Sequence, residues 1–397
     1  MIHSIREKFN SNFTEKKYED YIRRFEEITN CKSGFRIAET PIFIPKDFKI
    51  NMLDTCEHII DFILDKDFIS QTNQSIPSKY HISNDENDCE MMVFDFGVCK
   101  DDQGNIVPQL IEMQGFPSLY GFQILNNSLT TDYASIPENF DSYLNGYNKE
   151  TYVQLLKEII IGENNPENVI LLEAFPEKQK TFIDFKCTES ILGIPTVCIS
   201  ALIAENDSLY YNSNGSKIKI EKIFNRIIFD DLEQDQLKNC IDINKKYQVE
   251  WIPHTNWFYR ISKYTLPYLQ HPFIPETYFL NELKQPVNFD EFVLKPLFSY
   301  AGMGVIIDLK QDSIDSISDP ENWILQRKVE YASIIDTPDE PAKAEIRLFY
   351  FRKKGWPRPI AVHNLARLSK GKMIGTRYNQ DQTWVGGTIA YFEKYFF

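Results

Sequence analysis

The chain has 397 residues, with 43 Lys and Arg against 57 Asp and Glu, a formal net charge of −14, 43% hydrophobic and 14% aromatic residues. That apolar content excludes a disordered chain, and the length exceeds one ordinary domain, so two or three packed lobes are expected. The acidic balance excludes a general nucleic-acid binder, which needs a basic stripe to release counterions, but not a small phosphorylated ligand held by a few local cations.

The opening MIHSIREKFNSNFTEKKYEDY has no apolar stretch after its charges, and no segment approaches the ~20 apolar residues of a membrane span. The seven cysteines show no CxxC spacing and the six histidines no HExxH, so neither a zinc site nor a disulfide framework is indicated. A reduced, cytoplasmic protein without membrane or nucleic-acid partners is the expectation.

Tyr18, Tyr21, Ile22, Phe25 and Ile28 predict an amphipathic helix over 16–30. A second helix is expected from Asp54 to about Asp65, and 71–89 reads as a polar loop. The period then changes. MMVFDFGV (91–98) and NIVPQLIEMQ (105–114) read as strands of a hairpin around KDDQGN. Helical spacing returns over 149–161, and from 168 the order strand, helix, Gly193, Pro195, strand is that of a βαβ unit. Asn214-Gly215 marks a small hairpin. Residues 230–290 read as mostly helical and irregular, and from 291 strands dominate: EFVLKP, GVIIDL, WILQRKV, AEIRLFYFR and PIAVHNLARL.

Three constellations could carry chemistry. In Phe292-Val-Leu-Lys295-Pro-Leu-Phe-Ser299-Tyr-Ala-Gly302-Met-Gly304, a strand delivers a lysine to a loop whose glycines let backbone N–H groups approach an anion. It is neither a P-loop nor a dinucleotide fingerprint, because both of those open a helix; a hairpin with a Gly bulge is the plain alternative. Glu112 and Gln114 share one face of a strand, and a turn centred on Gln103-Gly104 sets Asp95 opposite Glu112, a register that a one-residue slip would destroy. Such an oxygen-rich face suits Mg²⁺, or is simply an acidic solvent face. Glu345 with Arg347, and His363 with Leu365 and Arg367, share faces of the late strands. The arginines could clamp phosphate or carboxylate oxygens, or form cross-strand salt bridges; His363 reads as a packing residue. No Ser-His-Asp or Cys-His arrangement supports nucleophilic hydrolysis.

With these residues in view, the chain resembles the ATP-grasp superfamily of carboxylate–amine ligases. His254-Thr-Asn256 through Lys263 to Pro267, then Ile274-Pro275-Glu-Thr277, looks like the family's first nucleotide lysine and the strand that follows it. FVLKPLFSYAGMGV resembles the second lysine and glycine loop, Trp323-Ile-Leu-Gln326-Arg-Lys328-Val-Glu330 the adenine and ribose linker, and AEIRLFYF with ARLSKG…RYNQ…WVGG the arginine-bearing strands. The acidic pair, FDF…QGN…PQLIEMQ, precedes these motifs instead of following them. That order resembles circularly permuted members of the glutathionylspermidine synthetase type. Gln114 stands where the family has Asn, one methylene longer but still offering an amide oxygen.

The resemblance covers about 90–120 and 168–397 and implies an α/β (α+β) ATP-grasp fold with a Rossmann-like lobe: the acidic hairpin and a helix over 91–160, the Rossmann-like lobe over 161–235, and the nucleotide lobes over 236–397; residues 1–90, which it leaves unassigned, read as an N-terminal helical region. It implies ATP held by Lys263, Lys295, Ser299, Gly302, Gly304, Gln326, Lys328 and Glu330, and Mg²⁺ held by Asp95, Glu112 and Gln114. Arg347 and Arg367 would hold an acyl phosphate made from a small-molecule or peptide carboxylate, which an amine then attacks. Phe116-Pro117-Ser118-Leu119-Tyr120 and Trp384 are expected near the acceptor. A small-molecule kinase and a non-catalytic nucleotide-binding module are the alternatives.

Overall fold

The hairpin at 91–114 lies at the heart of the molecule. The computed structural model describes residues 2–83, 88–229, 232, 240–242, 245–283, 287–299, 302–372, 374, 379 and 381–394; Tyr300 and Ala301 of the glycine loop and Arg377, Tyr378 and Gln380 of the RYNQ motif fall outside them. Strand Met91–Lys100 pairs antiparallel with Ile106–Gln114 on one side and with Lys343–Phe351 on the other. Ile360–Ser369 and Gly386–Thr388 extend the sheet, and Glu330–Tyr331 pairs with the far end of Met91–Lys100. All but the last residue of Met91–Lys100 is buried, because both faces of the sheet are covered.

One face packs Phe94, Phe96, Ile346 and Leu348 against Met52, Cys56, Ile59 and Ile60 of helix Lys46–Ile63. That helix begins eight residues before the expected Asp54. Pro45 precedes it in extended conformation and Phe48 and Met52 extend its apolar stripe, but Lys46, Asp47 and Lys49 hide the pattern. The other face packs Met91, Val93, Phe349 and Phe351 against Tyr120 and Ile124 of helix Tyr120–Tyr133 and against Tyr152, Leu155 and Leu156 of helix Lys149–Ile160. The first of these two helices escaped the sequence reading because it buries polar as well as apolar residues. Tyr21 Oη donates to Asn126 Oδ1 at 2.7 Å, and Asn126 Nδ2 donates to Gln123 Oε1 at 2.9 Å.

The βαβ unit forms as expected from Val169–Glu173, Phe182–Leu192 and Thr196–Cys198, with parallel strands. Lys222–Asn225 and Glu250–Ile252 continue it into a four-stranded parallel sheet. Asn214 and Gly215, at φ 48° and 79°, turn the attached hairpin. A third, antiparallel sheet joins Thr277–Phe279, Trp323–Arg327 and Phe292–Pro296.

Two expectations fail. In its described part, 230–290 is not mostly helical: it holds strands Glu250–Ile252 and Thr277–Phe279 and short turns at Trp257–Arg260 and Lys263–Tyr268. Pro253, Pro267, Pro272 and Pro275 interrupt any longer helix by removing donors. GVIIDL forms no strand, only an isolated bridge between Ile306 and Leu294. The next pair along would need an N–H from Pro296, which has none.

The N-terminal region closes against the last strands. Ile42–Ile44 pairs parallel with Ala390–Glu393, and Ile37 bridges to Gly387. Among the described residues no helix is long and apolar enough to cross a membrane.

Candidate functional site

One sheet face is apolar at one end and charged at the other. Met91 and Val93 give way to Asp95, while Phe351 and Phe349 give way to Arg347 and Glu345, because alternate residues of a strand share a face. The register sets Asp95 opposite both Glu112 and Arg347, and Glu345 opposite Arg367.

Asp95 is clamped. Arg347 Nε and Nη2 donate to its Oδ1 and Oδ2 at 2.5 and 2.6 Å, and Arg367 Nη2 donates to Oδ2 at 2.7 Å. Burial opposes ionisation of Asp95, but the two guanidiniums outweigh it and hold the carboxyl below the usual range. Burial likewise opposes the Arg347 cation, and Asp95, Glu112 and Glu345 together raise its pKa. Glu345 shows the reverse balance: burial leads, and Arg367 only partly offsets the upward shift. Tyr331 Oη donates to Glu345 Oε1 at 2.8 Å. Tyr331 also lies over Gly97, where a Cβ would come within 2.9 Å of its ring.

Two buried lysines face this group from the third sheet and the turn beside it. Lys295 Nζ donates to Gln326 Oε1 at 2.5 Å and to the Ile111 carbonyl at 3.2 Å. Burial, reinforced by Lys263 and opposed by Glu112 and Glu345, pushes the Lys295 amine down to about 8. Lys263 Nζ donates to the Ser299 carbonyl, and burial lowers its pKa too, with Glu112 opposing. Glu112 lies 3.6 Å from Arg347 Nη2 and accepts from Gln114 Nε2 at 3.0 Å. The cluster thus holds four cations against three carboxylates in a chain of net charge −14.

Of the residues singled out in the sequence, Asp95, Glu112, Gln114, Lys263, Lys295, Ser299, Gln326, Arg347 and Arg367 come together. Lys328 and Glu330 do not: Lys328 Nζ donates to the Asp290 carbonyl at 2.7 Å, and Glu330 is exposed, 3.6 Å from Lys100. Gly302 and Gly304 sit in the turn after Lys295 at φ 71° and 72°. Trp384 is buried beside Phe13. His363 is a packing residue, as expected; its ring stacks on Tyr143, and burial lowers its pKa to about 4.

Sequence reasoning missed Arg226, at the carboxyl end of parallel strand Lys222–Asn225, where ligands of open α/β sheets gather. It pairs with buried Asp184 at 2.8 Å and donates to the Ser118 carbonyl at 2.6 Å, while Ser118 Oγ accepts from Arg347 at 3.2 Å. Only its position after a short apolar strand could have marked it.

Three guanidinium hydrogen bonds occupy most of the lone-pair sites of Asp95, which makes it a poor ligand for Mg²⁺. Glu112 and Gln114 do fit: two protein oxygens suffice for a cation that takes its other ligands from water and phosphate. Among the described residues no group of three or more His, Cys, Asp or Glu could hold a metal.

The fold is glutathione synthetase-like. It is shared, with a TM-score of 0.58, by the apo-form structure of a glutathione synthetase-like effector from Globodera pallida, at 10% sequence identity over 97% of this chain and 98% of that one. No protein-family model and no curated protein matches the sequence.

Proposed function

We propose that the protein is an ATP- and Mg²⁺-dependent ligase of the circularly permuted ATP-grasp type, joining a carboxylate to an amine through an acyl phosphate. The observation that carries this is the convergence of buried Lys263 and Lys295 with Arg347 and Arg367 around Asp95 and Glu112. Desolvated cations in excess of their carboxylates are costly unless a polyanion completes the set.

In this reading Lys263, Lys295, Ser299, Gly302 and Gly304 hold the phosphates of ATP, and Gln326 lies beside the base. Glu112 and Gln114 would hold Mg²⁺, which spreads the charge of the transferring phosphoryl group when bound. Asp95 orients Arg347 and Arg367 so that their remaining donors meet the acyl phosphate. Ser118 and Arg226 border the space left for the acid and amine. Positioning and electrostatics then carry the acceleration, and no activated nucleophile is required.

The sequestering of Asp95 favours a second reading, a nucleotide-binding module without turnover, because it removes one carboxylate from the metal's reach. A third, hydroxyl phosphorylation, uses the same nucleotide residues. ATP with Mg²⁺ raises the melting temperature if the site binds nucleotide. Hydroxylamine added to turnover mixtures traps an acyl phosphate as a hydroxamate but leaves phosphate esters intact. Hydroxamate formation dependent on an added acid marks the ligase, ATP binding without ADP release marks the module, and no thermal response to ATP refutes both.

A further inference from the structure

The residue before strand Met91–Lys100 is a buried acid that lies outside the charged face. Glu90 is 9% exposed, and its Oε2 is buried with no hydrogen-bond partner among the described residues. Arg352 N donates to its carbonyl at 2.8 Å, which carries the central sheet one pair beyond Met91 and Phe351. Lys222 and Glu250 open the parallel strands Lys222–Asn225 and Glu250–Ile252 and pair across them at 3.3 Å. Lys222 Nζ also donates to the Ile159 carbonyl at 3.0 Å, in the last turn of helix Lys149–Ile160, where carbonyls lack intrahelical donors. That helix is a wedge between the two sheets. Its Tyr152, Leu155 and Leu156 share one core with Met91 and Phe351 of the central sheet and with Val169, Phe224 and Ile252 of the parallel sheet.

The charges around Glu90 balance without it. Asp88 pairs with Arg352 at 2.7 Å, Glu158 of the helix with Lys353 at 2.7 Å, and Glu250 with Lys222. A charge on Glu90 would add an anion to matched pairs, in a place shielded from water. Burial pushes its carboxyl up to about 8; its own backbone N–H opposes that shift, Glu250 adds to it, Lys222 opposes it and Asp88 adds to it. Once ionised, Glu90 competes with Glu250 and the Ile159 carbonyl for Lys222, which is itself buried.

We propose that Glu90 is a proton-operated latch on the seam between the central and parallel sheets: protonated, it leaves Lys222 on the end of helix Lys149–Ile160, and ionised, it draws Lys222 away and loosens that helix. The strand that carries Asp95 follows Glu90 directly, so the latch couples the pH of the solution to the charged face. It stands independently of the ligase reading.

The test follows hydrogen exchange of residues 149–162 in the full chain at about pH 6.5 and about pH 9, corrected for the intrinsic pH dependence of exchange. Wild-type protection is expected to fall about tenfold at the higher pH, one unit past the titration of Glu90. Glu90→Gln keeps the shape but never ionises, and is expected to stay protected at both. Lys222→Met is expected to lose protection at both, because the contact with the helix end is gone. Equal wild-type protection at the two pH values overturns the proposal, as does the same fall in Glu90→Gln, or wild-type protection in Lys222→Met. Glu250→Gln, at a half-exposed position, gives a second reading that does not depend on either buried variant folding. With that neighbouring charge removed, the midpoint of the transition, followed by the fluorescence of Trp251, should move down by roughly half a pH unit or more; an unmoved midpoint overturns the proposal.

Discussion

Asp95→Asn is the sharpest probe of the charged face. The substitution keeps the shape of the side chain but removes the charge that three hydrogen bonds of 2.5–2.7 Å converge upon. It leaves Arg347 and Arg367 partly buried near Lys263 and Lys295, with Glu112 and Glu345 as the remaining carboxylates. Removing one partner of a buried ion pair costs about 3–5 kcal/mol. The amide still offers one acceptor, so the lower end of that range is expected. At about 2 °C per kcal/mol, that lower end lowers the melting temperature by roughly 6 °C. In a double-mutant cycle with Arg347→Met, the two losses should fall short of additive by at least ~1 kcal/mol, since each variant removes the same contact. Turnover, once an acid is found, should drop more than ATP affinity, because Asp95 acts on the arginines and not on the nucleotide lysines. A melting temperature within about 1 °C of wild type, together with additive losses in the cycle, would refute this account of the site.

Lys295→Ala is expected to abolish ATP binding by calorimetry while leaving the far-UV spectrum unchanged. With the Lys295 amine pushed down to about 8, the protonated form that phosphates require is dominant below that pH. ATP affinity should therefore decline above pH 8 by up to about tenfold per unit, and a flat profile from pH 7 to 10 would count against it. Gly386→Ala should cost at least ~2 kcal/mol in chemical denaturation through its positive φ and the Arg36 carbonyl. Burial raises the Glu90 carboxyl to about 8, so the folded state holds a proton there that the unfolded chain has released. This contribution to stability is complete below about pH 4.5 and is lost as pH rises toward 8. Glu90→Gln should thus gain melting temperature relative to wild type at pH 8 compared with pH 5; an equal difference at both would sink the assignment.

The hairpin shows how far the sequence could be read. Asp95 does face Glu112, yet the turn is not centred on Gln103-Gly104: Lys100 pairs with Ile106, which centres it on Gln103. A bulge at Ile111 absorbs the one-residue difference, and the carbonyl of Ile111, outside the ladder, accepts from Lys295. Alternation along a strand revealed which charges share a face, but not that Arg347 and Arg367 would both close on Asp95. That depends on which strands are neighbours, and these are far apart in the chain. The likeness to a linker holds for Gln326, which reaches Lys295 from strand Trp323–Arg327, but not for Lys328 and Glu330, which lie past its end beside the Asp290 carbonyl and Lys100.

The clamp on Asp95 also has a history in time. Its carboxylate and the Arg347 that holds it are 252 residues apart. At about 5–20 residues per second, a ribosome takes roughly 13–50 s to travel between them. Throughout that interval Met91–Val98 has made its hairpin partner but lacks the strand that covers its other edge. The newborn chain therefore carries an open, apolar β-edge for many seconds, and the interior-facing acid at Asp95 is one charge that would discourage a neighbouring chain from adding to it.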